Sequence, residues 1–244
     1  MPADPNLGLL LSNAGFAIAG RSILADLSLH LTEPRIGIVG RNGSGKTTLL
    51  RMIAGLIEPT TGTVRLAGID PFRHRRTMLD QVGILFQNPD HQILFPTVGE
   101  ELAFGLRQQG RAMGDARDAV RAVLASEGRS HWENAPTHTL SQGQRHYLCL
   151  LAVLLMQPKI ILLDEPFAGL DLPTHARLSR KLAGLAQQTI TISHDTGAVA
   201  GCDRVIWLES GRVRADGPAP LVLASFVSAM QTLGELDADT HLAG

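Results

Sequence analysis

Apolar and polar positions follow two periods along this chain. Ala25-Asp26-Leu27-Ser28-Leu29-His30-Leu31 alternates strictly, as a half-buried strand does. Thr63-Val64-Arg65-Leu66-Ala67 alternates likewise and ends at Gly68. Other short runs are apolar without a polar partner face: Ile36–Val39, Val82–Phe86, Ile160–Leu163 and Arg204–Leu208, with Thr189–Ile192 close to them in character. They predict strands. Between them the helical period takes over at Leu49–Ala54, Gln144–Met156, about Thr174–Ala186 and Ala219–Leu233. Strands alternating with helices predict an α/β fold, a mostly parallel sheet with helices on both faces.

Two regions depart from that alternation. Leu7 to Leu31 mixes apolar segments with Asn13, Gly15 and Gly20-Arg21-Ser22, which read as turns between antiparallel strands. Thr97 to about Gly128 is helical, with Gly105, Gly110 and Gly114 breaking it into short pieces. The chain is expected to form one domain. A core with an antiparallel β-subdomain would cover about 1–96 and 157–233, an inserted helical subdomain about 97–156, and a polar tail 234–244.

The pattern becomes chemically specific where the run Ile36–Val39 meets Gly40-Arg41-Asn42-Gly43-Ser44-Gly45-Lys46-Thr47-Thr48. This is a G-x-x-x-x-G-K-[ST] phosphate loop in the strand-to-helix context it requires. Its backbone N–H groups and the following helix N-terminus suit an anion. Lys46 would reach the β- and γ-phosphates, and the Thr47 hydroxyl would ligate Mg²⁺.

Charge adds little. Lys and Arg total 22 against 23 Asp and Glu, so no basic surface marks a nucleic-acid protein. The densest basic run, Arg73-His74-Arg75-Arg76, fits a solvated helix face. Cys149 and Cys202 lack metal or redox spacing, and Cys149 sits in an apolar helix, so a buried reduced thiol is expected. The N-terminus shows no signal-peptide pattern, and the longest apolar run, Leu148–Met156, is half of a membrane span. A cytosolic chain that can dock on a membrane is expected.

A second carboxylate-bearing site follows the strand Ile160–Leu163. Asp164 at its end can hold Mg²⁺ through water, and Glu165 can polarise an attacking water. Upstream, Leu140-Ser141-Gln142-Gly143-Gln144 opens a helix and offers a second anion-binding N-terminus. Two phosphate-binding helix starts in one chain suggest that two copies share nucleotides.

The order of these motifs resembles an ATP-binding cassette (ABC) ATPase over nearly the whole length: phosphate loop, Gln87, Leu140–Gln144, Asp164-Glu165, Gly169-Leu170-Asp171 and Ser193-His194-Asp195. The resemblance implies a phosphate-loop NTPase core with the ABC ATPase fold, and ATP and Mg²⁺ as ligands. It implies that Gln87 senses Mg²⁺ and the attacking water and links to a transmembrane partner. Ser141 and Gly143, within the signature Ser141–Gln144, would contact the γ-phosphate of ATP held by the other subunit. Asp164 would support Mg²⁺, Glu165 would be the general base, Asp171 would cross the dimer interface, and His194 would contact the γ-phosphate.

Two positions depart from the family pattern. Gln142 replaces the first glycine of the signature, which is tolerable if Gly143 supplies the close N–H approach and the side chain at 142 points away. Ile18 stands where the family stacks adenine on an aromatic ring, which leaves an apolar wall without π-stacking. Phe16 is expected in the core.

Phe86 to Glu101 is similar to the corresponding segment in ATPases of energy-coupling-factor importers, which take up vitamins or cobalt and nickel ions. Within this group the chain looks most similar to ATPases of biotin importers, through its signature glutamine and short C-terminus. The resemblance implies a peripheral ATPase homodimer on the cytoplasmic face of the membrane. Its partners would be a transmembrane coupling protein and a small substrate-binding membrane protein, with no nucleic acid. Rival readings carry less. DNA-repair cassettes insert a long coiled coil where only about fifty residues without heptads stand here. Translation cassettes come two to a chain. A binding-protein-dependent importer lacks the 86–101 pattern, and a non-hydrolysing scaffold is opposed by Glu165 and His194.

Overall fold

A computed structural model describes residues 8–235 of the chain; of the tail expected over 234–244, residues 234 and 235 continue the last helix and the rest lies outside that range. Its strands form two sheets. The smaller has the order β2 (Arg21–Leu31), β1 (Leu9–Ile18), β4 (Thr61–Leu66), all antiparallel. Asn13 and Gly15 do not make turns here. They lie inside β1, where the register shifts between Leu11 and Ala14 and again before Phe16, with Asn13 at φ 47°. Such bulges absorb an extra polar residue and bend the strand without ending it.

The larger sheet runs β5 (Val82–Leu85), β6 (Ile160–Asp164), β7 (Gln188–Ile192), β3 (Arg35–Val39), β8 (Arg204–Glu209), β9 (Arg212–Pro218). The first five are parallel, and β9 returns antiparallel to β8. The sequence pattern predicts no strand between Leu208 and the last helix. β9 is an edge strand of exposed and half-buried residues with no apolar run to announce it. Arg204 fastens this edge. It makes a two-point contact with Asp216 at 2.6 and 2.7 Å, meets Glu33 at 3.0 Å, and donates to the His30 carbonyl at 2.8 Å.

The helices are α1 (Lys46–Ile53), α2 (Arg75–Met78), α3 (Val98–Gln108), α4 (Met113–Ser126), α5 (Gln142–Leu155), α6 (Leu172–Ala183) and α7 (Ala219–Glu235). The basic run at 73–76 is exposed and only partly helical. α6 starts two residues before the expected Thr174. Proline is compatible with a first turn, so Pro173 opens the helix instead of delaying it.

These elements enclose separate cores. α1 buries Leu49, Leu50, Met52 and Ile53 between the small sheet and one face of the large sheet. On the other face, α5 and α6 pack Cys149, Leu150, Val153, Leu178 and Leu182 against Leu85, Ile161 and Leu163. α7 covers Val39, Val205 and Trp207, with Phe226 edge-on to Trp207 at 5.4 Å. Cys149 and Cys202 are free thiols, and burial pushes them up to about 12 and about 11.

The helical region has a core of its own, built from Val98, Leu102, Leu106, Val120, Leu124 and Leu148 among others. α5 belongs to both cores: Tyr147, Leu148 and Leu151 face the helical one, and Cys149, Leu150 and Val153 the other. A polar clamp spans the junction. Glu127, just past α4, accepts hydrogen bonds from Tyr147 on α5 and from Lys181 on α6.

Candidate functional site

Parallel strands release their chain ends at one edge of the sheet, and the candidate residues leave from four adjacent strands. β3 gives way to the phosphate loop, β6 ends at Asp164, β7 leads to Ser193-His194, and β5 leads to Gln87. Registry brings them level: Asp164 pairs with Ile192, Leu163 with Leu85, and Ile38 with Ile192.

Gly45 is the N-cap of α1 at φ 100°, a left-handed conformation that favours glycine. A Cβ there would also stand 2.7 Å from Leu24 Cδ2. No side chain caps α1, so its first-turn N–H groups face the loop. Lys46 is buried and donates to the carbonyls of Gly40 at 2.7 Å and Arg41 at 2.9 Å. An ammonium has three donors, so one remains for a phosphate oxygen. Burial lowers the Lys46 pKa, and the Glu165 and Asp164 carboxylates pull the other way. Ser44 is buried in the loop with a hydroxyl that has no partner, as a phosphate-binding cradle would leave it.

Asp164 is 7% exposed, and burial followed by the neighbouring Glu165 raises its pKa. The Arg51 and Lys46 charges oppose that rise without reversing it, so the carboxylate fits a further cation delivered to the site. Among the described residues no cluster of three or more His, Cys, Asp or Glu could hold a metal alone. Mg²⁺ here would depend on nucleotide oxygens and water beside Thr47 and Asp164.

Glu165 has φ 47°, uncommon for a residue with a side chain, and conformations of this kind gather at functional sites. Its N–H donates to the Ile192 carbonyl at 2.9 Å. Its carboxylate accepts from the Ser193 hydroxyl at 2.8 Å, from the His194 N–H at 2.9 Å, and lies 2.8 Å from His194 Nδ1. The supporting role of Ser193 was not legible in the sequence, because nothing local signals a contact across two strands.

Gln87 is exposed just past β5. The loop it opens is fixed from beneath by Gln92, which accepts from the Phe86 N–H and donates to the Ile84 carbonyl. Glu101, 5% exposed, accepts the N–H groups of Leu94 and Phe95 at 2.8 and 3.0 Å. Burial raises its pKa against those two bonds. Asp90 pairs with Arg145 of α5 at 3.0 Å, tying the loop to the signature helix. These supports sit inside the 86–101 segment but have no spacing that announces them.

Ser141 caps α5 in a capping box with Gln144, an arrangement that stabilises a helix start by about 1 kcal/mol. Gly143 faces α6, where a Cβ would come within 2.8 Å of Thr174 Cγ2. Asp171 is exposed and caps α6, accepting the Thr174 N–H at 3.0 Å. The signature turn therefore packs on the 169–174 segment of its own chain. The phosphate loop, Glu165 and His194 form one group of predicted residues; Ser141–Gln144 and Asp171 form another.

A sequence profile of the family described as ABC transporter matches residues 24–168. The biotin transport ATP-binding protein BioM of Rhodobacter capsulatus is 50% identical over 90% of this chain and 94% of its own. The chain is an ABC transporter ATPase.

Other relatives of this ATPase include BioM of Rhizobium etli, 39% identical over 90% of this chain and 98% of its own. The cobalt import ATP-binding protein CbiO of Rhodobacter capsulatus is 37% identical over 84% and 76%. Among solved structures, CbiO1 of Clostridium perfringens, part of the complex CbiONQ, matches with a TM-score of 0.77 and 28% identity over 94% and 96% of the two chains. The cassette MJ0796, dimeric with ADP and Pi after hydrolysis, matches with 0.73 and 25% identity over 86% and 98%. In this ABC ATPase Phe16 is half-buried against the core and Ile18 is 59% exposed at the end of β1. No helix among the described residues is long and apolar enough to cross a membrane.

Proposed function

We propose that this ABC ATPase is the energy-coupling subunit of an energy-coupling-factor importer that takes up a vitamin, namely biotin. The observation that carries the substrate is the likeness to two biotin transport ATP-binding proteins over nearly their full lengths. Identity to the cobalt import protein of the same Rhodobacter species is lower, 37% against 50%. Uptake of labelled biotin by cells expressing the importer with the wild-type or the Glu165→Gln subunit tests this. Biotin uptake should be lost with the variant; uptake of cobalt instead would move the chain to the metal importers.

The mechanism rests on the split between the two residue groups. Two chains would face each other so that the phosphate loop of one meets the Ser141–Gln144 turn of the other, with Asp171 across the interface. Each ATP would then lie between chains. Transfer of a phosphoryl group to water depends on position and charge compensation more than on covalent help. Lys46, the α1 and α5 N-termini and His194 would supply that charge, and Glu165 would take the proton from water. Mg²⁺, held by Thr47 and through water by Asp164, with Gln87 as its sensor, would neutralise phosphate charge. ATP would favour the closed dimer and hydrolysis would release it.

The membrane partner would dock on the groove beside the 86–101 segment. Phe95, Phe104, Arg107, Met113 and Arg117 line it. Affinity purification of the tagged chain from membranes should recover a transmembrane coupling protein and a small substrate-binding protein.

A further inference from the structure

Gln142 stands where the family pattern has glycine, and the structure shows what its side chain meets. Gly169 lies in the turn before α6 at φ +70°, a conformation suited to glycine. A Cβ built on Gly169 would come 3.0 Å from Nε2 of Gln142. The amide end of Gln142 thus lies over the bare Cα of that turn. One residue on, Gly143 leaves no room between α5 and Thr174: an added Cβ would stand 2.8 Å from Cγ2 and 2.9 Å from Oγ1. Thr174 in turn gives its N–H to Asp171 at 3.0 Å. Consecutive residues at the start of α5 therefore lie close against both ends of the segment that carries Asp171.

We infer that Gln142 is a positioning residue: braced against Gly169, it holds the Ser141–Gln144 turn and the Asp171 turn at one spacing. The inference rests on the shared-site reading above, in which both turns face the partner's nucleotide. A glycine at 142 has nothing to reach Gly169, so the two turns would then be joined through Gly143 and Thr174 alone. The brace sits apart from Lys46 and its loop, so it acts on the closed arrangement and not on the first binding of ATP. Its contact is steric, since among the described residues the Gln142 side chain has no hydrogen-bond partner; length and bulk matter more than the amide.

The test compares full-length Gln142→Gly and Gln142→Met with wild type, measuring kcat, KM for ATP, single-chain nucleotide affinity and the thermal midpoint. Gln142→Gly should lower kcat by about tenfold, as a small misplacement of reacting groups does. KM and nucleotide affinity should stay within twofold of wild type (about the scatter of such measurements). Gln142→Met, unbranched and of similar reach, should restore kcat. Gly169→Ala both strains the left-handed turn and places a methyl against the amide; only the second part depends on Gln142, so its effect on kcat should shrink, without vanishing, in the Gln142→Gly background. Unchanged kcat in Gln142→Gly, failure of Met to rescue, or strict additivity with Gly169→Ala each overturns the positioning role. A large rise in KM also overturns it, because the side chain would then touch nucleotide. Mixed dimers of Ser141→Arg and Lys46→Ala chains should bind one nucleotide from the sound loop alone, so the deciding readout for the underlying reading is cross-linking. Ser44→Cys that joins Ser141→Cys of the other chain with ATP keeps the shared site, whatever Gln142 does; linkage only within one chain removes it.

Discussion

Nδ1 of His194 lies 2.8 Å from Oε1 of Glu165, and the same oxygen accepts the backbone N–H of His194 at 2.9 Å. The ring is held by one nitrogen, and the side chain is 61% exposed, so its far edge is open to a phosphate. If Glu165 is the base, Glu165→Gln should bind ATP while hydrolysis falls by about 10²–10⁴. The uncleaved ATP should hold two chains together, so sedimentation should show a dimer with ATP and a monomer without it. His194→Ala should bind ATP and lose about 10²-fold in kcat. Normal turnover in either variant would place the chemistry elsewhere.

Asp164 carries a charge that the fold resists. Burial and the adjacent Glu165 raise its pKa, so its ionised form costs stability. The unfolded chain gives up this proton at lower pH than the folded one. Stability is therefore lost as pH rises from the ordinary aspartate value through the raised one, and stays lost above it. Asp164→Asn should melt higher than wild type at neutral pH, with the gap closing as pH falls to about 4. The same variant should lose at least about 10²-fold in Mg²⁺-dependent hydrolysis. A lower melting point at pH 7 would contradict the burial cost.

Tyr147 is the only tyrosine of the chain, so its ionisation can be followed by near-ultraviolet absorbance without overlap. Burial, then the hydrogen bond to Glu127, pushes its pKa up to about 12 from an ordinary 10.0. Because the phenol ionises first in the unfolded chain, stability should decline as pH rises through the span between those two values. Glu127→Gln should bring the midpoint down while leaving it above the ordinary value, since burial persists. An unmoved midpoint would remove Glu127 from the clamp.

Arg204 joins β8 to β9 and to the small sheet through Asp216, Glu33 and the His30 carbonyl. It is 21% exposed, so removing its charge strands partly buried carboxylates. Arg204→Met should cost roughly 2–4 kcal/mol, lowering Tm by about 5–12 °C. ATP affinity should be unchanged, because the contact lies at the strand starts, away from the phosphate loop. A calorimetric scan and a nucleotide titration check both halves.

The sequence carried the strand-to-helix placement of the phosphate loop better than the scaffold around it. Ile36–Val39 followed by Gly40–Thr48 is a local pattern, and local patterns survive in a sequence. β9 did not survive, because an edge strand of alternating charge looks like a turn extension. Asn13 and Gly15 misled for the opposite reason: turn residues can be bulges when two neighbouring strands hold the chain straight. Ser193, Gln92 and Glu101 act across strands or around a loop, and such contacts leave no period to read. Gln142 was visible as a departure, but its neighbour Gly169 lies in another turn and only folding brings them together.

The helical region keeps its own hydrophobic core and meets the rest of the chain along α5, at the Glu127 clamp, and where Gln109 past α3 donates to Asp80 at 2.9 Å. A body with its own core can shift as a unit. Ser141 at one end of α5 and the Phe95–Phe104 face of the groove are built into that same body. Displacement of one is displacement of the other, with α5 as the axle. On the reading proposed above, a push at the nucleotide would become a stroke at the membrane partner with little slack between.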